Sequence, residues 1–135
     1  MHNPLNVVLV WYLLMATSCT TDVPPEAYLD FSAPLSLIIQ TNNVETVFTQ
    51  RQTETLEVNS KKWTQLMEWA KRHRAGWTST PASYAGDIYV TQGKFRLTHS
   101  IGSEGVVIAF VDTEGNGQQY QKSIPKGELD FLYAE

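Results

Sequence analysis

The chain holds a single cysteine, Cys19, and three histidines. One thiol cannot close an internal disulfide, so stability has to come from a packed core, which a chain of this length can build. Beyond His2, the histidines His73 and His99 stand far apart, and no H-x-x-x-H, C-x-x-C or Asp-rich calcium loop occurs. A protein metal centre takes roughly three or four ligands at fitting spacing, so neither a metal nor another cofactor is expected. Charge of one sign is also scarce. The formal net charge is −4, and the one basic cluster is the short Lys71-Arg72-His73-Arg74. A phosphate backbone demands clustered cations that displace its counterions, so nucleic acid is not an expected partner. No apolar run reaches the roughly 20 residues that a membrane-spanning helix needs. A nucleophile elbow is missing too. Gly102-Ser103-Glu104-Gly105 departs from G-x-S-x-G and reads as a hairpin turn, and no helix follows Gly115-Asn116-Gly117 to make it a phosphate cradle. No catalytic residue is assigned, and the chain reads as a non-enzyme.

What is present begins at Leu5. Residues from Leu5 to Met15 are apolar save Asn6, and Ala16-Thr17-Ser18-Cys19 follows. A secretory h-region is roughly 7–15 apolar residues ending in small ones. Ala16-Thr17-Ser18-Cys19 resembles the lipobox of bacterial lipoproteins, with Ala16 where Leu is usual and with no Lys or Arg in the leading MHNPLN. The resemblance covers residues 1–19 only. It implies a signal peptide over 1–18 and lipidation at Cys19, whose sulfur would carry a diacylglycerol as the new N-terminus. Two acyl chains, at ~0.8 kcal/mol per buried methylene, anchor a protein stably where one would not. Thr20, not Asp, follows the cysteine, which resembles a lipoprotein sent to the outer membrane. The expected location is the cell envelope, lipid-anchored and facing the periplasm, with the membrane as one partner. The other readings of the run are secretion without lipid, or a buried first element with Cys19 as a core thiol.

Residues 19–27 read as a lipidated tether, since Pro24-Pro25 within a polar stretch favours an extended chain. A single domain is expected over 28–135, with Tyr28, Leu29 and Phe31 covering a sheet edge. Leu35, Leu37 and Ile39 alternate with Ser36, Ile38 and Gln40, as in a half-buried strand. Thr41-Asn42-Asn43 reads as a turn, and Val44–Gln50 as a return strand facing Val44, Thr46 and Phe48 to one side. Arg51–Glu54 reads as a link to a short strand at 55–58. Further strands are expected at 87–91, 94–100, 106–112 and 118–124. The strand at 106–112 is apolar on both faces and belongs inside a sheet, whereas the Gln-rich 118–124 belongs near an edge. Leu129, Phe131 and Leu132 are expected to pin the C-terminus to the core. The fold class is therefore α+β, an antiparallel meander of about six strands with one amphipathic helix, about 60–75, packed on one face.

That helix follows from Trp63, Leu66, Met67 and Ala70, spaced as one apolar stripe, with Asn59 or Ser60 as its N-cap and Gly76 as its left-handed stop. Trp69 lies about 120° from the centre of the stripe. It is expected either to rest on the loop carrying Trp77 or to stay exposed for a partner. Aromatic and arginine side chains anchor protein interfaces, so Trp69, Arg72, Arg74, Trp77 and Tyr84 are the candidate partner-binding residues. The expected function is a membrane-anchored envelope lipoprotein that binds or inhibits another protein, as an immunity protein does. The alternative is a small-ligand-binding or hydrolytic protein with a pocket near His99. Exposed tryptophans beside Arg72 and Arg74 would mark the first reading. His99 in a concavity, bonded to a carboxylate, would mark an enzyme.

Overall fold

The computed structural model describes residues 20–43, 45 and 48–134. The signal-like run, Cys19, and the facing expected of Val44, Thr46 and Phe48 lie outside the described residues. Alternating leucines open the sheet. Strand β1 (Leu35–Asn43) buries Leu35 and Leu37, and β2 (Phe48–Leu56) returns beside it in the register Leu35↔Leu56 to Asn43↔Phe48. The hairpin is longer than its alternation suggests. Asn42 and Asn43 belong to β1, and the supposed link at 51–54 lies inside β2. The described side chains of β2 up to Thr55 are exposed, so that strand shows no apolar alternation. A polar, charged β2 suits the sheet edge it forms, because it discourages pairing with another chain.

Asn59 takes a left-handed backbone (φ 67) and turns the chain into helix α1 (Lys61–Arg72), for which Ser60 is the N-cap. The helix ends at Arg72 and not near 75, with the His73 amide bonded to Trp69 O. Gly76 (φ 83) does not stop the helix but bends the chain into β3 (Thr78–Ser79). Four more strands follow: β4 (Ile88–Gln92), β5 (Phe95–His99), β6 (Gly105–Val111) and β7 (Gly117–Ser123).

Among the described residues these make one open antiparallel sheet of seven strands, ordered β2-β1-β4-β5-β6-β7-β3, with the helix on one face. The class is α+β as expected, but the strands number seven and do not form one meander. After the helix the chain enters at the β7 edge as β3. It then crosses to the far side of the sheet to start β4 beside β1. Only β4 to β7 run as a meander.

Leu35, Leu37, Ile88, Val90, Phe95, Leu97, Val106, Ile108 and Phe110 form the helix-side face, and Trp63, Leu66, Met67, Trp69 and Ala70 pack with them in one core. Burying each large side chain contributes about 1.5–3 kcal/mol. Leu132, in the C-terminal turn Asp130–Leu132, and Leu129 just before it close the core. β6 lies inside the sheet, as expected, yet Val107, Ala109 and Val111 on its other face are only half-buried.

The N-terminal segment is docked, in place of the extended tether expected up to residue 27. Thr21 pairs with Trp77 through hydrogen bonds of 2.8 and 3.2 Å, the Val23 amide donates to Arg74 O at 2.7 Å, and Val23 and Pro25 are buried. A 3-10 turn at Pro25–Tyr28 then brings Tyr28 flat onto Phe110, with centroids 3.7 Å apart. The prolines here set a tight turn against the core, a use their fixed φ also permits.

Candidate functional site

The helix end is built around Trp69 and Trp77, two of the candidate partner-binding residues. Both are buried, Trp69 at 1% and Trp77 at 0% exposure. Trp69 meets Trp77 edge to face, stacks on His73 at 4.4 Å, and donates through Nε1 to Glu128 Oε2 at 3.1 Å. Trp77 Nε1 donates to His73 O at 2.7 Å. The reason is the C-terminal segment, which returns over this helix end with Glu128 and supplies the indole with an acceptor. Of the expected recognition residues, Trp69 and Trp77 are therefore structural. Arg72 and Arg74 remain exposed beside them, and Arg74 Nε lies 3.3 Å from Glu26 Oε1.

His73 shares Glu128 with Trp69, its Nε2 lying 3.2 Å from Oε2, while its Nδ1 is buried with no partner. Burial holds the imidazole below its ordinary range. Lys122 and Arg72 push the same way, and Glu128 opposes them. A neutral ring that donates through Nε2 fits both observations, since a protonated Nδ1 would need an acceptor there.

Tyr84 lies elsewhere, on the strap (residues 80–86) that carries the chain from β3 to β4 across the sheet face opposite the helix. Pairing registers place Ile38, Tyr89, Thr98, Val107, Gln121 and Thr78 in one transverse row on that face. The strap follows this row. Tyr84 Oη donates to Gln121 Oε1 at 2.9 Å and is 2.8 Å from Thr80 Oγ1, and the Gly86 amide donates to Tyr89 Oη at 3.0 Å. Gln119 Nε2 donates to the carbonyls of Thr80 and Ala82. Gly86 is needed for the approach: a Cβ there would sit 2.7 Å from His99 O and 2.9 Å from Thr98 Cγ2.

Between the strap and the β3 end of the sheet lies a hollow of about 610 Å³. Hydroxyl-bearing residues line it, among them Thr20, Thr78, Tyr84, Ser103 and Ser123, together with His99 and Lys122; none of its lining residues is Asp or Glu. Lys122 Nζ lies 5.8 Å above the Trp77 ring, and the bare Gly76 backbone leaves room for its stem. Burial lowers the Lys122 pKa against an opposing pull from Glu128.

His99 is the last residue of β5. It is buried at 3%, and its Nδ1 is 2.7 Å from Gly105 O while Nε2 has no partner. A carbonyl only accepts, so Nδ1 carries the proton. The residue lines the hollow, but its bonded partner is a backbone oxygen and not the carboxylate that an acid–base pair would use. Among the described residues no group of three or more His, Cys, Asp or Glu is placed to hold a metal ion.

Nothing local in the sequence marks Thr20, Thr78, Gln121 or Lys122 as site residues. They meet only because β3 joins the sheet at the β7 edge, a non-local pairing without a local signature. The short run of small residues between Pro81 and Gly86 was the one available hint of a strap. Comparison with protein-family models, with curated proteins and with solved structures finds no match.

Proposed function

We propose that this chain is a lipid-anchored envelope protein that acts by binding and not by catalysis. The observation that carries the reading is the apolar run from Leu5 ending at Cys19, directly before Thr20 and a segment docked on the domain. Diacylation at Cys19 would hold the domain at a bilayer without a spanning helix; among the described residues no helix is long and apolar enough to cross a membrane. The outer membrane, with the domain facing the periplasm, is the proposed site. Replacing Cys19 with serine tests the reading. The native chain should incorporate labelled fatty acid and Cys19→Ser should not. Equal incorporation of label by the two chains would contradict it.

Two kinds of binding compete. Capture of a protein partner, in the manner of an immunity protein, would use Arg72, Arg74 and Tyr84, now without the tryptophan anchors. Binding of a small ligand would use the hollow under the strap. The hollow favours the second: it is concave and rich in hydroxyls, and it carries Lys122 without any lining carboxylate. The bond from His99 to Gly105 O weighs against a hydrolytic version of the same pocket.

A further inference from the structure

We infer that the hollow beside β3 is a site for a phosphate ester, and that the anchor's own bilayer, through its lipid headgroups, is the source of that phosphate. The headgroup part rests on the anchoring reading above; the phosphate chemistry does not.

Two independent observations converge on the hollow. The first is its composition. In a chain of net charge −4, it is lined by no Asp or Glu, by one lysine, and by the hydroxyl-bearing Thr78, Thr98, Ser100 and Ser123, while the Tyr84 and Ser103 hydroxyls already donate to Gln121 and to the Ser100 carbonyl. A phosphate diester offers only accepting oxygens, so it suits an ammonium and several O–H donors, and it would be repelled by a carboxylate. Lys122 is half-buried between Trp77 and Gly76. A second anion there would stabilise a charge that burial disfavours.

The second observation is position. Thr20 lines the hollow, and Cys19 precedes it in the chain. The paired Thr21 and Trp77 amides and the bond from Val23 N to Arg74 O fix where this segment enters the fold. From Thr21 back to Cys19 the backbone reaches at most about 7 Å. Diacylation at Cys19, one residue before Thr20, would bring headgroups near the hollow and would hold the domain close to the bilayer surface.

The test uses the full chain carrying Cys19→Ser, so that no attached lipid contributes. Two probes are used: free glycerophosphate, and vesicles of phosphatidylglycerol in phosphatidylcholine against phosphatidylcholine alone. The apolar run is common to every variant, so what counts is the difference between variants and between the two vesicle compositions, not absolute vesicle binding. Amide resonances of Gly76, Thr78 and Lys122 should shift saturably with glycerophosphate, and the chain should bind the anionic vesicles more tightly than the neutral ones. Lys122→Gln should weaken both by about fivefold, the effect of one lysine near a charged surface. Gln121→Glu keeps the acceptor for Tyr84 and adds a charge to the wall, and it should weaken both at least as much. Saturation by glycerophosphate without any preference for anionic vesicles would overturn the headgroup source. No saturable shift, or shifts indifferent to both substitutions, would overturn the site itself. Binding by the hollow in a chain whose native form carries no acyl group would sink the anchor alone.

Discussion

The indole rings of Trp69 and Trp77 meet edge to face, with 6.4 Å between centroids and 84° between planes. This contact joins the end of α1 to the entry of β3 and turns two candidate recognition residues into core. The geometry is one that aromatic pairs favour beyond the area they bury. Trp69→Ala should therefore cost about 3–5 kcal/mol of folding stability, measured by urea denaturation. Arg72→Ala, at an exposed position beside it, should stay within about 0.5 kcal/mol. Equal, small effects from both would mean that the tryptophan is not core.

The strap crosses the sheet only because Gly86 lets its backbone approach β5. Gly86→Ala places a methyl group within 2.7 Å of His99 O and 2.9 Å of Thr98 Cγ2. Backbone must shift to admit it, at a cost of about 1–3 kcal/mol. The same substitution should loosen the Tyr84–Gln121 contact, visible as faster hydrogen exchange along residues 80–86. Unchanged stability and exchange would show that the strap does not lie on the sheet.

Docking of the first residues sets a further expectation. Val23 is buried at 4%, so Val23→Ala should lower stability by about 1–2 kcal/mol, whereas Asp22→Ala, on an exposed neighbour, should change it by less than about 0.5 kcal/mol. An extended tether would be indifferent to both. Thermal denaturation of the two variants decides between them.

Acid should destabilise the fold through His73. Its folded imidazole is held below the ordinary value of about 6.5, with burial the largest cause and Lys122, Arg72 and Glu128 the charges that face it. Between the two values the unfolded chain binds more protons, so stability falls as pH drops through about 6.5 and recovers as pH rises. Asp30 and Asp112 are held below the usual carboxylate range by hydrogen bonds, the former chiefly from Ser32 and the latter chiefly from Asn116. Their share is lost only at lower pH. The urea midpoint should thus be lower at pH 5.5 than at pH 7.5, and His73→Gln, which keeps a donor for Glu128, should flatten that difference. An unchanged slope in His73→Gln would remove the imidazole from the account.

Local periodicity made part of this legible. The stripe Trp63, Leu66, Met67 and Ala70 marked α1, and alternation at Leu35–Ile39, Ile88–Val90 and Phe95–Leu97 marked the inward faces of three strands. Trp69, off that stripe, was read as resting on the Trp77 loop or waiting for a partner, and the first holds. The full length of β2 is not legible because its described side chains before Leu56 are exposed and so carry no apolar period. The strand order, the strap and the hollow were not legible, since each depends on β3 pairing with β7 across a long stretch of chain. Burial of His99 was missed for a related reason: it sits opposite both Ile88 and Val106, and only the register reveals that.

Attachment of a diacylglyceryl group to the sulfur of Cys19 is the claim on which the envelope reading stands. The mass of the mature N-terminal peptide, isolated from native membranes, tests it directly. The account predicts a peptide beginning at Cys19 and carrying a diacylglyceryl group. A peptide beginning upstream of Cys19, or an unmodified cysteine, would contradict it.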